Sequence, residues 1–209
     1  MHKTAIFLGP SLNIGIARSI LDDAYLPPVK RGDLLNLPDS IRNVGIVDGE
    51  FFQSLSVSPK EVLILLERGI RVFGASSMGA LRAVETAPYG MVGVGTIFEM
   101  YRDGEIDADD EVAMSYDPLT YRPASEPLVN IRCALLAAVQ FGIMQQAEAD
   151  EILRVTCALY FPDRSYQYAF NRCPQFREFM KEKRLDQKRD DAILLLKTIA
   201  SLRAEDPLF

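Results

Sequence analysis

Residues 69–85, Gly69-Ile-Arg-Val-Phe-Gly-Ala-Ser-Ser-Met-Gly-Ala-Leu-Arg-Ala-Val-Glu85, constrain the fold more than any other stretch of the chain. They predict a buried strand over Ile70–Phe73, a tight turn of small residues at Gly74–Gly79, and a helix leaving through Ala80–Glu85. Such a turn presents backbone N–H groups and two hydroxyls above the strand, with the positive end of a helix dipole behind them. An anion, or a carbonyl becoming an oxyanion, is favoured there.

The segments around this unit repeat its logic. Ala5–Leu8 reads as a first strand closed by Gly9-Pro10-Ser11, and Asn13–Ala24 as a helix that Pro27-Pro28 cannot continue. A short strand is expected near Val29. Val44–Val47 is the next apolar run, ended by Asp48-Gly49, and Ser58-Pro-Lys-Glu61 is a capping-box signature for a helix over Val62–Arg68. Strands alternating with helices pair in parallel through right-handed crossovers. The fold class expected is therefore α/β, an open, mostly parallel, Rossmann-like sheet with flanking helices, followed by an all-α C-terminal region. Ligands of such sheets lie beyond the carboxyl ends of the strands, which brings Gly9–Ser11, Asp48-Gly49 and Ser76-Ser77 to one crevice.

From Asn130 the composition shifts to helices, expected over Ile131–Phe141, Glu148–Tyr160, Tyr166–Met180 and Ala192–Ala204. The expected division is an α/β core domain over residues 1–125 and a helical region over 126–209. Aromatic residues including Tyr160, Tyr166, Phe170, Phe176 and Phe179 form its core or a partner surface, with core the default. The glycine-rich Pro88–Gly95 lacks the Lys-Ser/Thr of a phosphate loop. Glu105–Glu111 holds five carboxylates in seven residues without the spacing of a calcium loop, and reads as a solvated acidic turn.

A net charge of −6 argues against a nucleic-acid surface. The first apolar run is too short for a signal peptide, and no stretch approaches the roughly 18 apolar residues of a membrane span, so a cytoplasmic protein without a membrane partner is expected. Cys133, Cys157 and Cys173 are widely spaced, with no metal-binding or redox pair, and are expected as buried helical thiols.

The turn around Ser77 matches a relaxed nucleophile elbow, with Ala75 two residues before and Gly79 two after. A helix-capping serine would satisfy the same spacing. The only histidine, His2, precedes the first strand, so a Ser-His-Asp triad is not expected. The candidate bases are Lys60, Glu61 and Asp48, acting either on Ser77 or on a water.

Phe7-Leu-Gly-Pro-Ser11, Pro27-Pro28 with Gly32-Asp33, Asp48-Gly49 with Phe51, Lys60-Glu61, Gly74–Ala83 with Glu85, Gly90-Met91 with Gly93-Val-Gly95, Asp110-Glu-Val112 and Glu126–Arg132 together resemble the TfuA-like family. The resemblance implies an accessory protein of peptide backbone thioamidation. Such a protein works beside a YcaO-type cyclodehydratase, hydrolysing the C-terminal thiocarboxylate of a ubiquitin-like sulfur carrier protein to release sulfide. The attacking group expected is Ser77 or a water. Ser76 and the N–H groups near Met78 and Gly79 would hold the anion, and Gly9, Ser11 and Arg82 would bind the anion or the carrier tail. The bland reading of Arg82 is an ion pair with Glu85 one turn on. No metal or cofactor is expected, and homo-oligomerisation is left open. The other reading is a non-catalytic partner that activates the YcaO enzyme or recruits its sulfur donor.

Overall fold

The computed structural model describes residues 2–51 and 55–205. Five strands, β1 (Thr4–Phe7), β2 (Ala24–Leu26), β3 (Asn43–Ile46), β4 (Arg71–Ala75) and β5 (Val92–Val94), pair in parallel in the order β2-β1-β3-β4-β5. The chain winds outward from β1 to β2 on one side and from β3 through β5 on the other. The reversal lies between the carboxyl ends of β1 and β3, the place where sheets of this kind bind ligands.

Two local expectations are corrected. The first helix, α1 (Ile14–Ile20), stops before Ala24, and residues 24–26 form the edge strand that was sought near Val29. Pro27-Pro28 can follow a strand end but not continue a helix. Val29 instead makes a single parallel bridge to Gly49. The glycine-rich segment after Pro88 is the last strand of the sheet.

α2 (Pro59–Glu67) and α3 (Met78–Thr86) pack on each other and on β4. α4 (Thr96–Arg102) follows β5. The opposite face of the sheet is covered by α1 and by the last helix, α9 (Gln187–Glu205). Ala192, Leu195, Leu196 and Ile199 of α9 form one core with Ile6, Phe73 and Ala75. Gly45 lets α9 lie flat on the sheet, since a Cβ there would stand 2.6 Å from Ile6 and 3.1 Å from Leu195.

Polar groups pin both ends of α9. Buried Asp191 accepts from the backbone N–H groups of Thr96 (3.0 Å) and Ile97 (2.8 Å), capping α4 from across the sequence. Arg203 donates to buried Asp23, which also pairs with His2. Replacing Asp191 by Ala strips the acceptor from two helix-terminal donors; we expect about 2–3 kcal/mol lower stability in urea unfolding, with Asn recovering part of it.

Contacts group residues 1–107 with 188–209 as one compact unit and residues 108–187 as another. The division expected at residue 125 followed composition, and composition does not reveal that α9 returns to the sheet. In the second unit α5 (Leu128–Gln140), α6 (Gln146–Cys157), α7 (Gln167–Arg172) and α8 (Pro174–Lys183) enclose a core that includes Phe176 and Phe179, with Tyr166 and Phe170 packed against it. Tyr160 stays exposed. Arg164, although buried, is satisfied by the Asp110 carboxylate and by the carbonyls of Asp110, Cys157 and Leu159. The acidic turn is not wholly solvated, because Glu111 is buried and paired with Arg132. Of the cysteines only Cys173 is buried.

Candidate functional site

The turn between β4 and α3 is shaped by two glycines that touch through their backbones. A Cβ on Gly74 would lie 2.1 Å from the Gly79 carbonyl oxygen, and one on Gly79 would lie 1.8 Å from the carbonyl oxygen of Ile46. No side chain fits either place, so the helix is held hard against β3 and β4. The chain between them must reverse within four residues. Ser76 carries that reversal at φ 67°, and the Ser77 N–H closes the turn on the Ala75 carbonyl at 2.8 Å. A serine in this region stores roughly 1–3 kcal/mol of strain. The elbow is therefore centred one residue earlier than the Ala75/Gly79 spacing suggested.

Ser77 sits at the N-cap position of α3 but makes no capping hydrogen bond with its side chain. Its hydroxyl faces a lysine instead: Lys188 Nζ donates to Ser77 Oγ at 3.0 Å. Both residues are buried, at 2% and 1% exposure. Lys188 stands in the first turn of α9, in line with the apolar stripe at 192, 195, 196 and 199 that docks the helix on the sheet. The same packing that fixes α9 thus delivers the amine to the serine.

The expected bases are exposed or already engaged. Lys60 is an exposed side chain in the first turn of α2. Glu61 is buried but engaged, accepting from the Ser58 N–H and hydroxyl and from the Gly32 N–H at 2.7 Å. That is its helix-capping role, with a loop tied in. Asp48 accepts from the Gly9 N–H at 2.9 Å, the Ser11 N–H at 3.1 Å and the Ser11 hydroxyl at 2.6 Å. It organises the loop after β1, and Gly9 and Ser11 give their donors to it.

The anion-binding expectations divide in the same way. The Gly79 N–H is engaged by the Val47 carbonyl at 3.2 Å, so it does not serve as an oxyanion donor. Buried Arg82 pairs with Glu85 and donates to Met78 Sδ at 3.3 Å, which is the bland reading of this residue. The three strand ends do meet. Gly9 and Ser11 touch Asp48, and Gly49 approaches Met78 so closely that a Cβ would come within 2.9 Å of its side chain.

A cavity of about 380 Å³ opens beside the ends of β1 and β2, lined by Phe7, Leu26, Pro27, Pro28, Lys30 and Asp33 among others. It includes neither Ser77 nor Lys188. His2 lies at the amino edge of the sheet, opposite the edge that carries Ser77.

Lys188 is the residue that sequence reasoning missed. The readable signal was periodic: a lysine four and seven residues before Ala192 and Leu195 falls on the buried face of its helix rather than on the solvated one.

Residues 48–165, more than half of the chain, match the family model described as TfuA-like protein. The matched span holds Asp48, Ser76 and Ser77 and ends before Lys188. No curated protein matches the chain. Among the described residues no helix is long and apolar enough to cross a membrane.

Proposed function

The chain belongs to the TfuA-like family, and from that premise we propose that it hydrolyses the C-terminal thiocarboxylate of a sulfur carrier protein with Ser77 as nucleophile and Lys188 as base. The observation that carries the reading is the buried 3.0 Å approach of the Lys188 amine to the Ser77 hydroxyl. A serine needs an adjacent base, and a lysine becomes one when desolvation disfavours its charged form.

In the first step the Ser77 hydroxyl proton passes to the neutral Lys188 amine as Oγ bonds to the thiocarboxylate carbon. The C–S bond then breaks, and the proton held on Lys188 moves to the departing sulfur. Hydrosulfide and an acyl-serine result. Water attacks the acyl carbon, giving one proton to Lys188, and collapse returns that proton to Ser77 Oγ and frees the carrier's carboxylic acid, whose remaining proton passes to solvent to leave the carboxylate. Sulfide leaves far more readily than an amine, so the site has less need of a strong general acid, and a chain without a usable histidine suffices.

The released hydrosulfide is the form of sulfur that a partner YcaO-type enzyme would take up for backbone thioamidation. The non-catalytic reading makes a different prediction: peptide thioamidation supplied with free sulfide would still depend fully on this protein.

The direct test is sulfide release from purified thiocarboxylated carrier. We expect turnover by the wild type and a loss of roughly 10³-fold or more in Ser77→Ala. Equal release by the two proteins, with both folded, would remove Ser77 from the chemistry.

A further inference from the structure

A nucleophile and a base do not complete an acyl-transfer site, because the tetrahedral intermediate carries a negative oxygen that must be held by donors already in place. Two of the turn's N–H groups are unavailable for this. The Ser77 N–H closes the turn on Ala75, and the Gly79 N–H is bound to Val47.

A third group in the same turn is in the opposite state. The Ser76 side chain is fully buried, at 0% exposure, and its hydroxyl has no hydrogen-bond partner among the described residues. Buried hydroxyls are ordinarily satisfied. Two other buried side-chain groups among the described residues share this condition, Asn43 Nδ2 and Tyr166 Oη. Neither belongs to the elbow: Asn43 opens β3 at the amino edge of the sheet, and Tyr166 lies in the helical unit. Ser76 alone of the three stands at the carboxyl edge, next in sequence to Ser77, and it is also the residue at φ 67°. An unsatisfied donor and a strained backbone therefore coincide at one residue beside the Ser77–Lys188 pair. The reversal of the chain accounts for the backbone, but no described residue satisfies the hydroxyl, which is the mark of a position shaped for a ligand.

We infer that the Ser76 hydroxyl is the hydrogen-bond donor to the substrate's carbonyl oxygen, and that it stabilises the oxyanion formed when Ser77 attacks. This role rests on the thiocarboxylate-hydrolase reading and extends it by dividing the two serines: Ser77 forms the bond, and Ser76 holds the charge. The acceptor it fits is a compact oxyanion on an acyl carbon. The backbone that carries Ser76 is fixed before substrate arrives by the close Gly74–Gly79 contact, so the turn need not reorganise during the step.

The test compares Ser76→Ala and Ser76→Gly with the wild type, using thiocarboxylated carrier as substrate and thermal unfolding as the second readout. The expected result is a kcat lower by roughly 10²–10³-fold, with KM changed by no more than about threefold. Both variants should unfold at the wild-type temperature or above, since each removes an unsatisfied buried hydroxyl and glycine also removes the strain. A purely structural Ser76 would give lower unfolding temperatures and an unchanged kcat for the folded fraction, which overturns the inference. Wild-type turnover with full kcat in both variants overturns this inference and leaves the hydrolase reading standing. Absence of sulfide release by the wild type overturns the hydrolase reading, and this inference falls with it.

Discussion

Lys188→Met lowers the rate of sulfide release by roughly 10²–10⁴-fold, the range a positioned general base supplies. The substitution keeps the length and apolar stem of the side chain. Removing the buried amine leaves the Ser77 hydroxyl without this partner, so urea unfolding should show a loss of about 1–3 kcal/mol while the variant stays folded. Lys188→Arg does not restore activity: a guanidinium stays protonated at any working pH and cannot take the Ser77 proton. This variant separates the chemical role from an electrostatic one, because a site that needed only a positive charge would keep its rate with Arg. The double variant Ser77→Ala/Lys188→Met should be no slower than the worse single one, as residues that act as a unit are not additive. Wild-type rates in Lys188→Met would reject the pair as catalytic machinery.

Gly79→Ala has the largest structural effect expected of a single methyl group in this chain. The new Cβ would stand 1.8 Å from the Ile46 carbonyl oxygen and 2.7 Å from its carbon, and both neighbours are backbone atoms of a central strand. A flexible side chain could swing away, but β3 cannot, since β1 and β4 pair with it on either side. The helix must retreat from the sheet, and with it the turn that carries Ser76 and Ser77. We expect a loss on the order of 3 kcal/mol or more in urea unfolding, together with loss of sulfide release. Gly69→Ala is the control. Gly69 lies at φ 74° with no atom within 4 Å of a new Cβ, so only backbone strain opposes the change and about 1 kcal/mol is expected. Similar losses for the two variants would mean that the close backbone approach at Gly79 does not govern this turn.

Local grammar made much of the sheet unit legible. Short apolar runs closed by glycine, proline or aspartate marked β1, β3 and β4, and the Ser58-Pro-Lys-Glu61 capping box marked the start of α2. The edge strand β2 was harder to read. Ala24-Tyr-Leu26 is three residues long, with no alternation to set it apart from the end of a helix, and its place is decided by pairing with β1. Asp191 is a case of another kind. Nothing within its helix shows that it caps α4, because the donors it serves are 95 and 94 residues away.

Ser77 was found from its neighbours in sequence, because a strand-turn-helix junction is written in consecutive small residues. The amine that meets its hydroxyl is not legible in that way, and the three groups expected as bases differ from Lys188 in one respect. Lys60, Glu61 and Asp48 follow from nearness to Ser77 in the order of elements, whereas Lys188 is 111 positions away. Proximity of that kind comes from the docking of α9 across the sheet, driven by burial of Ala192, Leu195, Leu196 and Ile199 against Ile6 and Phe73. By itself the sequence determined that this chain forms a parallel α/β sheet with a small-residue turn after β4, since strand, turn and helix signals act over a few residues. The tertiary structure alone decided which serine bears the strain and which amine meets the other, because both depend on backbone and helix contacts between segments far apart in the chain.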